Sequence, residues 1–312
     1  MSRNGFHLTS TVIPNMKNSQ QGIALIQILL LTGILSVLAL YITQTANSQI
    51  TQALWAEEKA QAQVALHSAE ASLLFELFTR SNTNSQYLES QDTDTIAERW
   101  NFFAVPFNIQ NNVVAKIQDQ SGLIQLHYPD VSLLKKLVAT IESSQNNVNV
   151  IIDHLLDWQD IDNDQRLNGG EIDAYAAEGA IRNGAVPSIY DIKHIKSISP
   201  AVRQLIVSNT TIYQSGALSI VNATPDILHL IAGDSAAKQI IALRNNHQMS
   251  NEKFKGISGI NEDEDSYYYT SNYLMIDLTS KLGQATARKK MYIHLQPYAE
   301  GNAQPINIFK SW

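Results

Sequence analysis

The sequence predicts an α+β fold in which a long N-terminal membrane-spanning helix packs on an antiparallel sheet, and a large helical insertion interrupts that sheet. Three observations support this prediction. Residues 18–56 contain no Asp, Glu, Lys or Arg, and residues 34–105 contain no Gly or Pro. In the rest of the chain, segments with strand character lie on both sides of a series of helical segments.

The composition narrows the class of protein. Charged residues make up 16% of the 312 residues, below the quarter that is usual in soluble domains. The chain has no cysteine, which excludes disulfide scaffolds and cysteine-based metal or thiol chemistry. A formal net charge of −7 argues against a nucleic-acid-binding surface.

The uncharged segment predicts a membrane anchor. Residues 23–42 are almost entirely apolar and would span about 30 Å as a helix, the thickness of the hydrocarbon core. A secretory signal peptide and a buried core helix are the alternatives. A signal peptide has a shorter apolar run followed by a cleavage site, whereas here the helical pattern continues. Arg3 and Lys17 precede the segment, so we expect a cytoplasmic N-terminus and a main domain across the membrane.

The same helix is predicted to continue beyond the membrane, from about residue 23 to about residue 79. Apolar residues then recur at helical spacings of three, four or seven and form one stripe: Trp55, Ala62, Leu66, Ala69, Leu73 and Leu77. A soluble domain must cover that stripe. The polar segment 81–94 is predicted to end the helix.

Strand and helix signals divide the remaining chain. Strands are predicted at 112–118, 273–279 and 284–296. Helices are predicted at 133–141, 148–158, 189–195 and 201–207, with Ser188 and Ser199 as N-caps of the last two and Pro200 in a first helical turn. The chain therefore leaves the sheet, forms a helical region and returns.

Residues 160–171 match the spacing of an EF-hand calcium loop. The expected ligands at loop positions one, three, five, seven, nine and twelve are the side chains or carbonyls of Asp160, Asp162, Asp164, Arg166 (carbonyl), Asn168 (directly or through water) and Glu171. Clustered carboxylates repel each other unless a cation neutralises them. The sequence therefore predicts a calcium site, and a solvated acidic loop is the alternative.

Four further residues in and beside this loop affect the comparison with the motif. Position six is Gln165, where the motif has Gly for a sharp turn. Leu167 is expected to anchor the loop to a core. Asp157 and Asp173 are either extra ligands or flanking charge.

No other segment predicts chemistry of its own. Residues 262–265 are all acidic, a pattern typical of a solvated loop. Residues 188–200 resemble a helix–hairpin–helix, but the acidic surroundings argue against nucleic acid as its ligand. The histidines are scattered and match no catalytic motif, and Asp153 with Asp157 is interpreted as a charge pair at a helix end. We therefore predict a protein that is not an enzyme.

The N-terminus resembles that of type IV pilins, in which a polar leader ends in Gly directly before an apolar helix. The resemblance implies that a prepilin peptidase cuts between Gly22 and Ile23 and methylates the new amino terminus. Most pilins have Glu at the fifth mature position, where this chain has Gln27. An amine in the membrane is costly without a charged partner. A subunit that lacks the carboxylate suits the first place in a filament, with no subunit above it.

The later sequence resembles one branch of that family, the K-type minor pseudopilins (general secretion pathway protein K) of type II secretion. That branch has two similar segments, each a strand, an Asn-containing turn and a Leu-rich helix. Here they are residues 117–127 followed by 133–137, and residues 215–225 followed by 227–231. His127 replaces the usual Asn of the first segment, and the family's Asp-Trp stretch is present at Asp157 and Trp158.

This resemblance covers residues 18–295 and implies a pilin-like domain organisation. The parts are a leader (1–22), a long helix (23–80, transmembrane at 23–42), a pilin-like α/β domain (100–120 and 215–296), a helical insertion with the calcium loop (121–214) and a tail (297–312). It also implies calcium in the helical region and a periplasmic main domain anchored in inner-membrane lipid.

The function implied is that of a minor pseudopilin at the tip of the pseudopilus, which helps to export folded proteins across the outer membrane. The implied partners are the I-type and J-type minor pseudopilins, the prepilin peptidase and secreted proteins. A minor pilin of a type IV pilus and a membrane-anchored periplasmic calcium-binding protein are the alternatives.

Overall fold

The computed structural model describes residues 20–80, 95–110, 112–175, 181–213, 217–246 and 248–311, without the side chains of residues 20–22 and 310. Most of the predicted leader and the polar segment 81–94 therefore lie outside the described residues. The chain divides into a unit that ends at Glu58 and a unit that extends from Lys59 to Trp312. Helix α1 runs from Gln20 to Thr79, so the predicted uninterrupted helix is confirmed.

The first unit consists, as far as it is described, of the N-terminal part of α1. From Ile23 onward, this part is long and apolar enough to cross a membrane. Its large apolar side chains are exposed, for example Leu25 at 63% and Val37 at 68%, as expected of a surface that faces lipid. Trp55 is 57% exposed, so its predicted place in the buried stripe is wrong.

The second unit contains the remaining elements. After α1 the helices are α2 (Val131–Ala139), α3 (Gln145–Gln159), α4 (Ile172–Tyr175), α5 (Pro200–Asn209), α6 (Pro225–Ala232), α7 (Asp234–Asn245) and α8 (Asn251–Ser258). The strands are β1 (Phe107–Gln110), β2 (Val113–Asp119), β3 (Ile124–Gln125), β4 (Thr210–Thr211), β5 (Leu218–Ser219), β6 (Ser266–Tyr267), β7 (Tyr273–Leu282), β8 (Ala285–Leu295) and β9 (Ile306–Ser311). The segment Ile189–His194 is a 3-10 helix, with Ser188 as its N-cap.

The main sheet has the order β1-β2-β7-β8-β9, and every neighbouring pair is antiparallel. The buried face of α1 belongs to the same hydrophobic cluster as this sheet, through Ala62, Leu66, Ala69, Leu73 and Leu77. These residues are 0–4% exposed, so this part of the predicted stripe is confirmed. The alternation of buried and less buried residues along β2 and β8 follows from one face packing on the helix.

A second hydrophobic cluster joins the helices between β3 and β6. It extends from Ile124 to Phe254, with Ile257 and Ile260 packed against it. The helical region therefore continues past the boundary predicted at residue 214, because α6 packs on α2, α7 on α6 and α8 on α7, and residues of all these helices belong to this cluster. The segment named the tail contains β9, which adds an edge strand to the sheet beside β8.

The two similar segments meet at a buried polar junction between the sheet and the helical region. Asp119, at the end of β2, is 0% exposed and accepts hydrogen bonds from Ser121 N, from Asn222 Nδ2 and from the backbone N and Oγ of Ser271. Burial raises the pKa of Asp119, and these hydrogen bonds oppose the rise. Asn222 also donates to Ser219 Oγ. The Asn-containing turn of the second segment is thus hydrogen-bonded to the end of the strand of the first segment.

Because Gly122 has no side chain, its backbone can approach the backbone of Asn222 closely enough for this junction to form. A Cβ on Gly122 would lie 2.2 Å from the carbonyl oxygen of Asn222, a distance that backbone atoms do not tolerate. We expect Gly122→Ala to lower the free energy of unfolding by about 1–3 kcal/mol or more, since the clash is with backbone in a packed interior. The control is Gly256→Ala in α8, where a Cβ would meet nothing within 4 Å and where alanine should raise stability by about 0.5–1 kcal/mol. Urea unfolding of the two variants checks this, and equal effects would contradict the close approach.

Candidate metal centre

The predicted calcium loop begins at the C-terminal end of α3. Ser144 caps the other end of that helix by accepting a hydrogen bond from Asn147 N, and an apolar face of α3 lies in the core. This packing fixes the last helical turn, in which Asp157 is 0% exposed and Trp158 is 7% exposed. Asp160 is the C-cap residue, and its backbone N donates to Leu156 O. The end of α3 therefore places the carboxylates of Asp157 and Asp160 at the start of the loop.

Three carboxylates come together at this place. Ligand atoms of Asp157, Asp160 and Glu171 all lie within 4.8 Å of one another. Both carboxylate oxygens of Glu171, and Oδ1 of Asp160, are buried and accept no hydrogen bond in the described part of the chain. Burial raises the pKa of Glu171, and the charges of Asp157, Asp160 and Asp162 raise it further. Buried carboxylate oxygens without donors favour a cation as their partner.

Arg166 supplies one positive charge to this cluster. Its Nη1 lies 2.5 Å from Asp157 Oδ1 and 2.5 Å from Asp160 Oδ2. The hydrogen bonds to Asp160 and Asp157 raise the pKa of Arg166. The sequence predicted a role for the Arg166 carbonyl, whereas the structure shows the side chain as a counter-ion. One guanidinium leaves the cluster with an excess of negative charge.

Two glycines of the loop allow its close packing on α3. A Cβ on Gly169 would lie 1.9 Å from Asp157 Oδ2, and one on Gly170 would lie 2.5 Å from His154 Cε1. Gln165 does not adopt the left-handed conformation that favours glycine, and its Nε2 donates to Gly169 O. The loop thus turns without the glycine of the motif. The need for Gly169 and Gly170 was not predicted, because it depends on the approach of α3.

The remaining predicted ligands are placed differently. Asp162 and Asp164 are exposed, and Asp162 Oδ1 accepts a hydrogen bond from Asp164 N. Asn168 donates from its backbone N and its Nδ2 to Asp153. Leu167 is 94% exposed, so the expectation that it anchors the loop to a core is wrong. Of the expected set, Asp160 and Glu171 join the cluster, together with Asp157 from the flanking acids.

Aromatic side chains tie the two ends of the loop together. The ring of Tyr175, in α4, packs edge-on against Trp158 at 5.1 Å between centroids, and its hydroxyl lies 3.1 Å from His154 Nδ1. Burial lowers the pKa of His154 against the opposing charges of Asp157 and Asp153. The helix before the loop and the short helix after it are therefore held together independently of any ion.

The second acidic run, residues 262–265, forms a local turn. Asp263 accepts hydrogen bonds from Asp265 N and Ser266 Oγ, and Glu262 accepts one from Tyr268 N. These bonds lower the pKa of Asp263, with the bond from Ser266 the largest contribution. Donors from the protein itself therefore already engage these carboxylates.

A long apolar N-terminal helix, packed in its second half on an antiparallel sheet, defines a pilin-like α+β fold. The predicted fold class is therefore confirmed. A solved structure with this fold is that of the GspK-GspI-GspJ complex from the type 2 secretion system of enterotoxigenic Escherichia coli. A chain of that complex matches 82% of this chain and 96% of its own length, with a TM-score of 0.52 and 13% identity. At that identity the match shows the fold.

The sequence comparison points to one kind of pilin-like protein. The chain is 24% identical over 220 residues to a type II secretion system protein K of Escherichia coli strain K12, and the alignment covers 66% of each protein. No family model matches the chain. The resemblance to K-type minor pseudopilins is confirmed, since both the curated relative and the solved complex belong to type II secretion systems. The length and composition of α1 suit a single-pass membrane anchor.

The position of Arg166 predicts a stability effect in metal-free protein. Arg166→Gln removes the guanidinium that pairs with Asp157, whose carboxylate is fully buried. We expect the free energy of unfolding to fall by about 1–3 kcal/mol, as for a lost charged hydrogen bond in a buried place. The matched control is Arg80→Gln, which breaks an i,i+4 pair with Glu76 on α1 and should cost less than about 0.5 kcal/mol. Urea unfolding in metal-free buffer measures both, and a smaller effect at Arg166 than at Arg80 would contradict the counter-ion role.

Proposed function

We propose that the protein is a minor pseudopilin that caps the tip of a type II secretion pseudopilus and takes part in its assembly and in the export of folded proteins. The single observation that carries the tip position is Gln27 in place of the pilin glutamate. Without that carboxylate, the subunit has no charged partner for the N-terminal amine of a subunit above it. This asymmetry suits a subunit that ends the filament.

The size of the helical region supports the same position. The helical region, built on a second hydrophobic cluster between residues 124 and 260, makes the subunit larger than a pilin-like sheet and helix alone. A helical region of this size would hinder further subunits from stacking above it. The partners that we propose are the I-type and J-type minor pseudopilins. Support comes from the solved complex of proteins K, I and J, whose fold this chain shares.

The proposal includes processing and location. A prepilin peptidase would cut between Gly22 and Ile23 and methylate Ile23, and the helix that follows would hold the protein in inner-membrane lipid with its N-terminus in the cytoplasm. The main domain would then lie in the periplasm, where secreted proteins meet the pseudopilus. A minor pilin of a type IV pilus is the alternative. In that case, deletion would remove pili and leave secretion intact.

Single-site labelling tests the tip position, because the chain has no cysteine of its own. Lys255 is exposed on α8, so Lys255→Cys provides one site for a maleimide–gold label on the helical region. We expect label at one end of each isolated pseudopilus and no loss of secretion. The cysteine-free parent, treated with the same reagent, is the control for background. Label distributed along the shaft would refute the tip position.

We further propose that the loop of residues 160–171 binds calcium. The residues fit such an ion, since Glu171 offers two buried oxygens without hydrogen-bond donors and Asp157 and Asp160 lie beside it. Calcium prefers six to eight oxygen ligands, and backbone carbonyls or water would complete the shell. The ion would neutralise the negative charge that Arg166 leaves uncompensated.

Calcium-dependent melting tests this proposal. A ligand that binds only the folded state adds about 2.7 kcal/mol of stability when its concentration is about a hundredfold above its Kd. We expect the full chain in detergent micelles to melt at a higher temperature in calcium than in metal-free buffer, and magnesium to substitute poorly because it prefers a smaller octahedral shell. Glu171→Gln should abolish most of the calcium shift.

The control for that variant is Asp173→Asn, an exposed acid two residues further along the chain. It removes the same charge but should keep the calcium shift. Loss of the shift in both variants would indicate a diffuse effect of charge, and no shift in the parent would leave the loop without an ion.

A further inference from the structure

A cleft of about 720 Å³ opens beside the C-terminal end of α3. Its wall includes Trp158 from α3, residues of the 3-10 helix Ile189–His194 and the segment after it, and Arg203 from α5. We call this the basic cleft, because the side chains of Arg182, Lys193, Lys196 and Arg203 all line it. Its volume lies in the range of sites that bind small ligands.

The charge of the basic cleft is opposite to that of the chain. Two arginines and two lysines line the cleft with one acidic residue, Asp191, although the chain as a whole carries −7. Cations gathered on one wall attract an anion, because a negative charge placed among them reduces their mutual repulsion. A cleft lined by one sign of charge also concentrates ligands of the other sign.

Backbone carbonyls, not carboxylates, position the two arginines. Arg182 Nε donates to Ala185 O at 2.9 Å, and Arg203 Nη2 donates to the carbonyl oxygens of Lys193 and Ile198. Across the described ranges, Arg182, Lys193 and Arg203 form no ion pair within 4.0 Å. The charges of the two arginines are therefore held in place by neutral groups. Arginine in such a position suits carboxylate or phosphate oxygens.

The cleft also has an aromatic wall. The rings of Trp158 and His194 stack at 6.5 Å between centroids, and Trp158 packs on Tyr175. Trp158 is 7% exposed, and its Nε1 has no hydrogen-bond partner in the part of the chain that the structure describes. A wall of rings beside cationic side chains suits a ligand with both apolar and anionic parts. The cleft is far larger than one phosphate or one carboxylate group.

From these observations we propose that the basic cleft binds an acidic peptide segment, in which several carboxylates contact Arg182, Lys193, Lys196 and Arg203 while neighbouring side chains pack on the wall formed by His194 and the edge of Trp158. A protein that presents an exposed run of Asp and Glu next to an aromatic or aliphatic residue has this chemistry. The proposal does not depend on the position of the subunit in a filament.

Fluorescence anisotropy of a labelled eight-residue peptide, with four Glu and one Trp, tests this in the full chain in non-ionic detergent micelles. Calcium is removed with a chelating resin, because a soluble polycarboxylate chelator would itself compete for the cleft. We expect saturable binding that weakens between about 0.1 M and about 1 M salt, as the Debye length falls from about 10 Å to about 3 Å. A matched peptide with Gln for each Glu should not bind.

Two triple variants with the same change of charge locate the site. Arg182→Gln, Lys193→Gln and Lys196→Gln together should weaken peptide binding about tenfold or more. All three residues are exposed, so the fold should survive, as thermal melting will confirm. The control combines Lys116→Gln, Lys238→Gln and Lys255→Gln, which are exposed and do not line the cleft. Binding should change less than about threefold.

Other results would overturn the proposal. Equal losses in the two triple variants would show non-specific attraction. The indole N–H signal of Trp158 in a ¹⁵N spectrum, assigned with Trp158→Phe, gives a second measurement. Movement of that signal by inorganic phosphate, without movement by the acidic peptide, would indicate a small-anion site instead. No movement of it by saturating peptide would place the peptide elsewhere.

Discussion

The fold depends on one buried carboxylate. Asp119 ends the strand that leaves the main sheet, and its donors come from the adjacent 3-10 turn, from Asn222 a hundred residues later, and from Ser271 just before the chain re-enters the sheet. A buried charge with fewer donors would cost several kcal/mol, so these three segments hold their positions together. The register places Asp119 directly beside Leu274. The exit and the return of the chain are therefore neighbours, and a large helical region fits between them without disturbing the sheet.

The elements with strong local signals were predictable from the sequence. Alternation identified β2, β7 and β8, helical spacing identified α2, α3 and α5, and the N-caps Ser188 and Ser199 accept the expected backbone hydrogen bonds. The long α1 followed from the absence of breaking residues. Each of these depends on neighbours within one or two turns of the same element, which is information that a single sequence contains.

What the sequence did not predict depends on contacts between distant segments. Trp55 has the helical spacing of the stripe, but the buried face of α1 begins with Ala62, and spacing does not tell where a covering domain starts. Strand β9 is an edge strand of mixed polarity, and its pairing with β8 joins it to the sheet. The acidic loop matches the spacing of a calcium motif, but in the fold the carboxylates that come together are those of Asp157, Asp160 and Glu171. They do so because α3 packs closely on the loop at Gly169 and Gly170.

In the helical region, the acidic cluster and the basic cleft lie next to each other, and α3 contributes residues to both. Asp157 belongs to the acidic cluster and Trp158, the next residue, lines the basic cleft. Glu171 and Tyr175 repeat this relation one helical turn apart, since Tyr175 also lines the cleft and packs on Trp158. A change that separates α3 from α4 would therefore alter both places together. The packing of Tyr175 on Trp158 holds those two helices together, so the carboxylates of the cluster and the aromatic wall of the cleft keep their relative positions. Under the two proposals, any effect of a cation at the carboxylates on the affinity of the cleft for its ligand would be matched by an equal effect of that ligand on the affinity for the cation.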